Sequence, residues 1–215
     1  MKRVFGTFEA VFDGIYLLSA AAIGLILLAT ASCSGLRIVA GAMALVLSGG
    51  DAFHLIPRMR VILSQNEESL RTALGRGKQI TSITMTVFYI LLWELSKLLS
   101  PAAPGLWDIA VYLLALGRIA LCLMPQNRWM DRYPPVSWGI WRNVPFFLLG
   151  LLVALRMFLI RSAAASLNLM WLAIILSFAF YLPVVLWAND KPKLGMLMLP
   201  KTCCYIWMLV MCLSL

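Results

Sequence analysis

Residues 168–189 read NLMWLAIILSFAFYLPVVLWAN, a continuous stretch without a charged side chain. A helix needs about 20 apolar residues to cross the roughly 30 Å hydrocarbon core of a bilayer. The stretch is therefore long enough to span a membrane, and six further windows share its length and apolar character. Those windows are 9–32, 36–57, 79–99, 106–125, 143–160 and 195–215.

The composition agrees with seven spans. Of the 215 residues, 62% are apolar and 13% are charged, and the mean hydropathy is +0.90. An ordinary globular domain carries about 45–50% apolar and about 25% charged residues. These values exclude a soluble globule, and no polar block remains that could form a separate soluble domain. We therefore predict an all-α fold, a single seven-helix transmembrane domain over residues 1–215.

The basic residues predict the orientation. The net charge of +9 is not typical of nucleic-acid binding here, because the basic residues lie between apolar windows. If the spans alternate, 12 of the 18 lysine and arginine residues lie on the side of the N-terminus and 3 on the other side. Cytoplasmic loops carry such an excess. We predict a cytoplasmic N-terminus, an external C-terminus, location in the cell (inner) membrane and membrane lipids as partners, without nucleic acid.

The first span is expected to be retained, because Glu9 and Asp13 fall where a signal peptide is uncharged. Two cytoplasmic connections are long. Residues 58–78 are expected to form a short surface helix. Residues 126–142 carry aromatic side chains among arginines and are expected to lie at the headgroup level. Those aromatic residues are Trp129, Tyr133, Trp138 and Trp141.

Four charged side chains are predicted to share one layer inside the membrane. At 1.5 Å per residue, Asp51, Arg118 and Lys201 each lie roughly 9–10 Å inside the cytoplasmic ends of spans 2, 4 and 7. Asp13 in span 1 is somewhat shallower. Ionisable residues are costly in hydrocarbon and indicate a functional site. With two carboxylates and two cations, the layer can be neutral as a set.

Span 2 carries the densest polar stripe. Asp51, His54 and Arg58 are spaced i, i+3 and i+7 and therefore share a helix face. Asp51 beside the only histidine of the chain would hold its tautomer and raise its basicity, so Asp51 and His54 are candidate catalytic residues. The alternative is a structural network, in which Asp51 pairs with Arg118 or Lys201 and His54 is merely hydrogen-bonded.

Span 7 supplies further candidate binding residues. Lys201 follows a proline that bends the helix, so its side chain could project into the bundle with Tyr205 one turn along. Tyr181 of span 6 could join the same layer. The predicted binding residues are Asp13, Arg58, Arg118, Tyr181, Lys201 and Tyr205. The alternative for Lys201 is snorkelling to the cytoplasmic surface.

Several catalytic motifs are missing from the sequence. It contains no G-x-S-x-G, no H-E-x-x-H, no phosphate loop and no C-x-x-C, and its single histidine is not accompanied by clustered cysteines. We therefore predict no metal and no cofactor. Any catalysis would rest on Asp, His, Lys, Arg or Tyr side chains.

Residues 42–51, AMALVLSGGD, resemble the early-helix signature of lysoplasmalogenase-like membrane proteins, in which a Gly-Asp pair ends a small-residue apolar helix. The resemblance implies a role for Asp51 alone. Those proteins usually have eight spans and a second intramembrane aspartate near the C-terminus, and this chain departs from both features.

Three functions are compatible with these residues. The first is a cavity open to the cytoplasmic leaflet that binds and hydrolyses an amphiphile, with Arg118 and Lys201 holding an anionic headgroup while Asp51 and His54 activate water. The second is a transporter of a small solute or protons that uses the same charged layer. The third is a noncatalytic partner subunit whose charges neutralise one another.

Overall fold

The computed structural model describes residues 2–101, 105–188 and 191–215, and the side chains from Gly6 onward except that of Pro192. Over these residues the chain is helical and contains no strand. Seven helical segments are long and apolar enough to cross a membrane, which confirms the predicted all-α seven-helix bundle. The helices are α1 (Lys2–Ala29), α2 (Gly35–Ser64), α3 (Glu67–Leu99), α4 (Leu106–Leu123), α5 (Val136–Leu159), α6 (Met170–Trp187) and α7 (Met198–Cys212).

Short 3₁₀ helices accompany three of the connections, at Pro125–Asn127, Ala165–Leu167 and Pro192–Leu197. The last of them leads directly into α7. The predicted end of span 6, at residue 189, lies outside the described residues.

Helices α2 and α3 are longer than the predicted spans. Because α2 continues through its internal proline to Ser64 and α3 begins at Glu67, only Gln65 and Asn66 connect them. The expectation of a separate surface helix within 58–78 is therefore wrong. A left-handed Gln65 ends α2 (φ 57°), and the side chain of Asn66 caps the start of α3.

The connection between α4 and α5 is only partly interfacial. Tyr133 and Trp141 are 80% and 64% exposed, as expected for residues at the headgroup level. Trp129 is instead 8% exposed, and its indole Nε1 donates a hydrogen bond to the carbonyl of Cys122 at 3.0 Å. The expectation that Trp129 lies among the headgroups is wrong, because its polar nitrogen is satisfied inside the protein.

Helices that follow one another in the chain pack as neighbours. Helix α7 also packs against α1 and α2, which closes the bundle, and α3 reaches α5. This order brings the N-terminal half of α1, the C-terminal half of α2 and the first turns of α7 to one end of the bundle. That end holds the candidate site.

Helices α2 and α3 approach each other as closely as their backbones permit. A Cβ atom on Gly77 would overlap the main chain of Phe53 and His54. Four residues along α3, the Thr81 hydroxyl donates a hydrogen bond to the carbonyl of Gly50 at 2.9 Å. These two contacts fix the register of α2 against α3. Asp51 lies between the two contact points on α2.

Gly77→Ala should lower the free energy of unfolding by about 1–3 kcal/mol, since the added methyl meets main-chain atoms that cannot move aside. Gly49→Ala is the matched control, because nothing lies within 4 Å of a Cβ there. Helix propensity alone would make that change neutral or stabilising by up to about 1 kcal/mol. Unfolding midpoints in mild detergent measure both, and equal midpoints would contradict the close contact.

Candidate functional site

A cavity of about 180 Å³ lies between α1, α2, α3 and α7, at the end of the bundle that holds the N-terminus. Pockets for drug-sized ligands occupy about 300–1,000 Å³, so this one suits a small headgroup and not a whole lipid. Its polar lining consists of Glu9, Asp13, Asp51, His54, Arg58, Thr81, Lys201, Thr202 and Tyr205. Leu55, Met196, Met198 and Leu199 form an apolar wall.

The polar stripe of α2 lies along one side of this cavity. Asp51, His54 and Arg58 all line it, as their helical spacing predicts. They do not form the expected dyad, however. The Tyr16 hydroxyl of α1 donates to Oδ2 of Asp51 at 2.7 Å, and no hydrogen bond joins Asp51 to His54 among the described residues.

Because of this hydrogen bond, the two carboxylate oxygens of Asp51 have different surroundings. Tyr16 is 2% exposed, so the donor is held in the packed interior. The second carboxylate oxygen has no hydrogen-bond partner in the described part of the chain, while the residue itself lines the cavity. Oδ2 is thus anchored, and Oδ1 is the oxygen left for a water molecule or a ligand.

His54 lines the same cavity, and one nitrogen of its imidazole ring lacks a hydrogen-bond partner among the described residues. Its Nδ1 is buried and has no hydrogen-bond partner among the described residues. Its backbone is held by the contact with Gly77. A buried polar atom without a partner is costly, and a water or ligand in the cavity is the group that would satisfy it.

The acidic side of the cavity extends along α1. Glu9 forms an ion pair with Arg58, whose Nε donates to Oε1 of Glu9 at 2.6 Å. One turn further, Asp13 is only 5% exposed, and its Oδ2 has no hydrogen-bond partner within the described ranges. Glu9 and Arg58 therefore neutralise each other, whereas Asp13 keeps a free acceptor.

Lys201 forms the basic side of the cavity. Its ammonium lies over two aromatic rings, 4.8 Å from the centroid of Tyr181 and 4.8 Å from that of Tyr205. The residue is 9% exposed, and it forms no ion pair within 4.0 Å in the described part of the chain. Snorkelling to the surface is therefore not observed, because the ring faces hold the ammonium inside the bundle.

Arg118 does not line this cavity, so the four charges predicted to share one layer do not all face it. Arg118 is 2% exposed and stacks on Phe146, with 3.6 Å between its Cζ and the ring centroid. Its guanidinium donates to the carbonyl of Ser82 at 3.4 Å, to that of Arg142 at 3.1 Å and to Oδ1 of Asn143 at 3.0 Å. All of these acceptors are neutral, and they tie α4 to α3 and α5.

Tyr181 also lies outside the cavity lining and connects the two regions. Its ring contacts Lys201, and its hydroxyl donates to Oδ1 of Asn143 at 3.3 Å. That same oxygen accepts from Arg118. The position of Lys201 is therefore supported by the polar cluster around Arg118.

Several cavity residues were not singled out from the sequence. Thr81 and Thr202 are among them, and Tyr16, which donates to Asp51 from outside the cavity lining, was not singled out either. Glu9, Asp13 and Tyr16 follow one another at helical spacing on α1, and this periodicity was the signal available for Tyr16. The hydroxyl of Thr202 instead bonds the backbone of its own helix.

Several charged residues at the opposite end of the bundle form ion pairs and hydrogen bonds there. Lys97 forms ion pairs with Glu94 at 2.9 Å and with Asp108 at 3.5 Å. The indole of Trp93 donates to Oδ1 of Asp108 at 2.9 Å. Arg156 donates to the carbonyl of Ser100 at 2.6 Å. A second cavity of about 180 Å³ lies here, and its lining includes Arg156, whose Nε is buried and has no hydrogen-bond partner among the described residues.

The chemistry available in the cavity at the N-terminal end of the bundle is acid, base and electrostatic chemistry. The described residues contain no group of three or more His, Cys, Asp or Glu side chains placed to hold a metal ion. Asp51 can accept a proton, and Lys201 can stabilise negative charge, because the surrounding protein excludes much of the water that would screen it. Comparisons with known proteins add no assignment, since no protein-family model, curated protein or solved structure matches the chain.

Arg118→Met should lower the unfolding midpoint far more than Lys201→Met. Loss of Arg118 removes three hydrogen bonds from a charged donor, each contributing about 1.5–3 kcal/mol, together with the stack on Phe146. Loss of Lys201 removes ring contacts but also removes a desolvated ammonium, so the two effects largely offset each other. Equal destabilisation in the same detergent would show that Lys201 is as structural as Arg118.

Proposed function

We propose that the inner cavity binds the anionic headgroup of an amphiphile from the cytoplasmic leaflet and that Asp51 activates water for its hydrolysis. The observation that carries this proposal is the presence of Asp51 and Lys201 in the lining of one small cavity. One carboxylate oxygen of Asp51 is anchored by Tyr16, the other is free, and Lys201 lies on the same cavity. A similarity to lysoplasmalogenase-like proteins around residues 42–51 is part of the proposal.

The walls of the cavity suit an amphiphile. Lys201 is the buried cation without an acidic partner within 4.0 Å there, which favours a negatively charged group on the ligand. The free oxygen of Asp13 would accept a hydrogen bond from a donor on the same headgroup. Met196 and Leu199 give the cavity an apolar wall, which suits the apolar part of an amphiphile.

The hydrolytic step uses the free oxygen of Asp51 as a general base. A cavity water loses a proton to Oδ1 as its oxygen forms the new bond to the electrophilic atom of the substrate. The leaving group departs with the bonding electrons and takes the proton back from Asp51. Lys201 stabilises the negative charge that develops, and His54 is placed to hold the water through its free Nδ1.

Palmitoyl lysophosphatidylglycerol is a suitable probe, with palmitoylglycerol as the phosphate-free comparison ligand. We expect the purified protein to bind the phosphate-bearing probe, and Lys201→Met to weaken binding about tenfold, the effect of roughly 1.4 kcal/mol. Asp51→Asn should bind the probe normally but release no product. Binding is measured by calorimetry and product by mass spectrometry.

Thr202→Val is the matched control, because it alters the cavity wall without changing its charge, and its hydroxyl bonds only its own helix. Full turnover by Asp51→Asn would overturn hydrolysis. Equal affinity for both ligands would overturn headgroup recognition. Uptake of a soluble anion by proteoliposomes without any product would replace hydrolysis by transport.

The location proposed for the chain is the cell (inner) membrane, with the N-terminus in the cytoplasm. Cys33 lies exposed in the turn between α1 and α2, which this orientation places outside the cell. We expect a membrane-impermeant maleimide to label it on intact cells. In a Cys33→Ser background, Tyr133→Cys should react only after permeabilisation, since Tyr133 is exposed at the other end. The reverse labelling pattern would invert the topology.

A further inference from the structure

The second cavity lies at the end of the bundle opposite the N-terminus, where α3, α4 and α5 meet. Its volume is about 180 Å³, and pockets for drug-sized ligands are larger, so it suits a small molecule. The lining combines two indoles, two cations and one carboxylate with two uncharged residues. It consists of Trp93, Lys97, Gly105, Trp107, Asp108, Arg156 and Leu159.

Arg156 brings a positive charge to this cavity without a carboxylate partner. Its Nη2 donates at 2.6 Å to the carbonyl of Ser100, the residue that caps the end of α3. No carboxylate oxygen lies within 4.0 Å of the guanidinium in the described part of the chain. Its Nε is buried and has no hydrogen-bond partner there either. The guanidinium is therefore anchored on a neutral acceptor and keeps a donor for a ligand.

The acidic groups at this end are engaged with other donors. Oδ1 of Asp108 accepts from the indole of Trp93 at 2.9 Å and lies 3.5 Å from Nζ of Lys97. Oδ2 of Asp108 accepts from the backbone N–H of Gly105 at 3.2 Å. Glu94 pairs with Lys97 at 2.9 Å and does not line the cavity. Both carboxylates thus share the lysine of α3, and neither pairs with the arginine of α5.

A carboxylate ligand fits this combination. A buried N–H without a partner costs free energy, and an ionised acceptor forms a shorter and stronger hydrogen bond with it than a neutral acceptor does. The N-terminus of α4 also lines the cavity, and the positive end of its helix dipole stabilises negative charge. The two indoles and Leu159 form an apolar wall, which suits a flat ring.

We propose that the second cavity binds a small aromatic carboxylate. Arg156 holds the carboxylate through its free Nε, and Trp93 and Trp107 contact the ring. The site lies at the opposite end of the bundle from Asp51, so it stands whether or not the first cavity hydrolyses a substrate.

Benzoate and benzamide are the probes, because they share a ring and nearly the same shape, but only benzoate is charged at neutral pH. Titration calorimetry of the purified full chain in mild detergent measures the affinity for each. We expect the wild type to bind benzoate about tenfold more tightly than benzamide, the effect of one charge-assisted hydrogen bond.

Arg156→Met should abolish this preference, so that benzoate binds no more tightly than benzamide. Arg156→Lys keeps the charge but lacks the guanidinium donor, and should retain part of the preference. Arg161→Met is the matched control, because it removes the same charge from an exposed residue at the same end that does not line the cavity. It should bind both probes as the wild type does.

Trp107→Ala tests the wall separately from the charge. It should weaken the binding of benzoate and benzamide equally, about fivefold, because it removes ring contacts and leaves Arg156 in place. Trp107 is 48% exposed, so this variant should keep the wild-type fold. Trp141→Ala is its control, since Trp141 is exposed at the other end of the bundle.

Equal affinity of the wild type for benzoate and benzamide, or no binding of either, would overturn the proposal. So would an equal loss of benzoate affinity in Arg156→Met and Arg161→Met, which would indicate a general attraction by the positive charge of this end. If Arg156→Met does not fold, Arg156→Lys and Trp107→Ala decide, and wild-type affinities in both would contradict the site. Asp51→Asn should leave these affinities unchanged, which separates this test from that of hydrolysis.

Discussion

The main-chain contact between α2 and α3 at Gly77 is the constraint on which the rest of the inner end depends. It brings α3 against the turn of α2 that carries His54, and the hydrogen bond from Thr81 to Gly50 holds the same register. The same turns of α2 carry Asp51, which accepts a hydrogen bond from the hydroxyl of Tyr16 in α1. Hydrocarbon offers no hydrophobic driving force between helices, so close packing through small residues must supply the specificity of this pair.

The buried charges divide into two groups that are stabilised in different ways. Arg118 is satisfied by neutral oxygens and a ring face, a solution that needs no carboxylate and that locks α4 to its neighbours. Lys201 has only ring faces, so it keeps its hydrogen-bonding capacity while remaining inside the bundle. Tyr181 touches Lys201 and shares an acceptor with Arg118, so the polar cluster around Arg118 helps to position Lys201.

Seven spans and the stripe of α2 could be predicted because both rest on local periodicity, namely window hydropathy and the i, i+3, i+7 spacing of Asp51, His54 and Arg58. The side-chain contacts between different helices could not be predicted in this way. Depth alone grouped Arg118 with Asp51, but depth does not say which way a side chain points around the bundle. The partner of Asp51 is Tyr16, and nothing in the spacing of α1 shows which neighbouring helix that face meets. The continuation of α2 beyond its proline also escaped prediction, because the helix tolerates Pro57.

The two-residue connection between α2 and α3 has a practical consequence for imaging. With 30 and 33 residues, these helices are about 45 and 50 Å long, well beyond the roughly 30 Å hydrocarbon layer. Both therefore emerge together as one stiff antiparallel pair. A small folded domain inserted between Gln65 and Asn66, and joined to both helices without a flexible linker, would stand at a fixed angle above the micelle. Electron microscopy could use such a fusion as an orientation marker for a membrane protein of only 23.9 kDa.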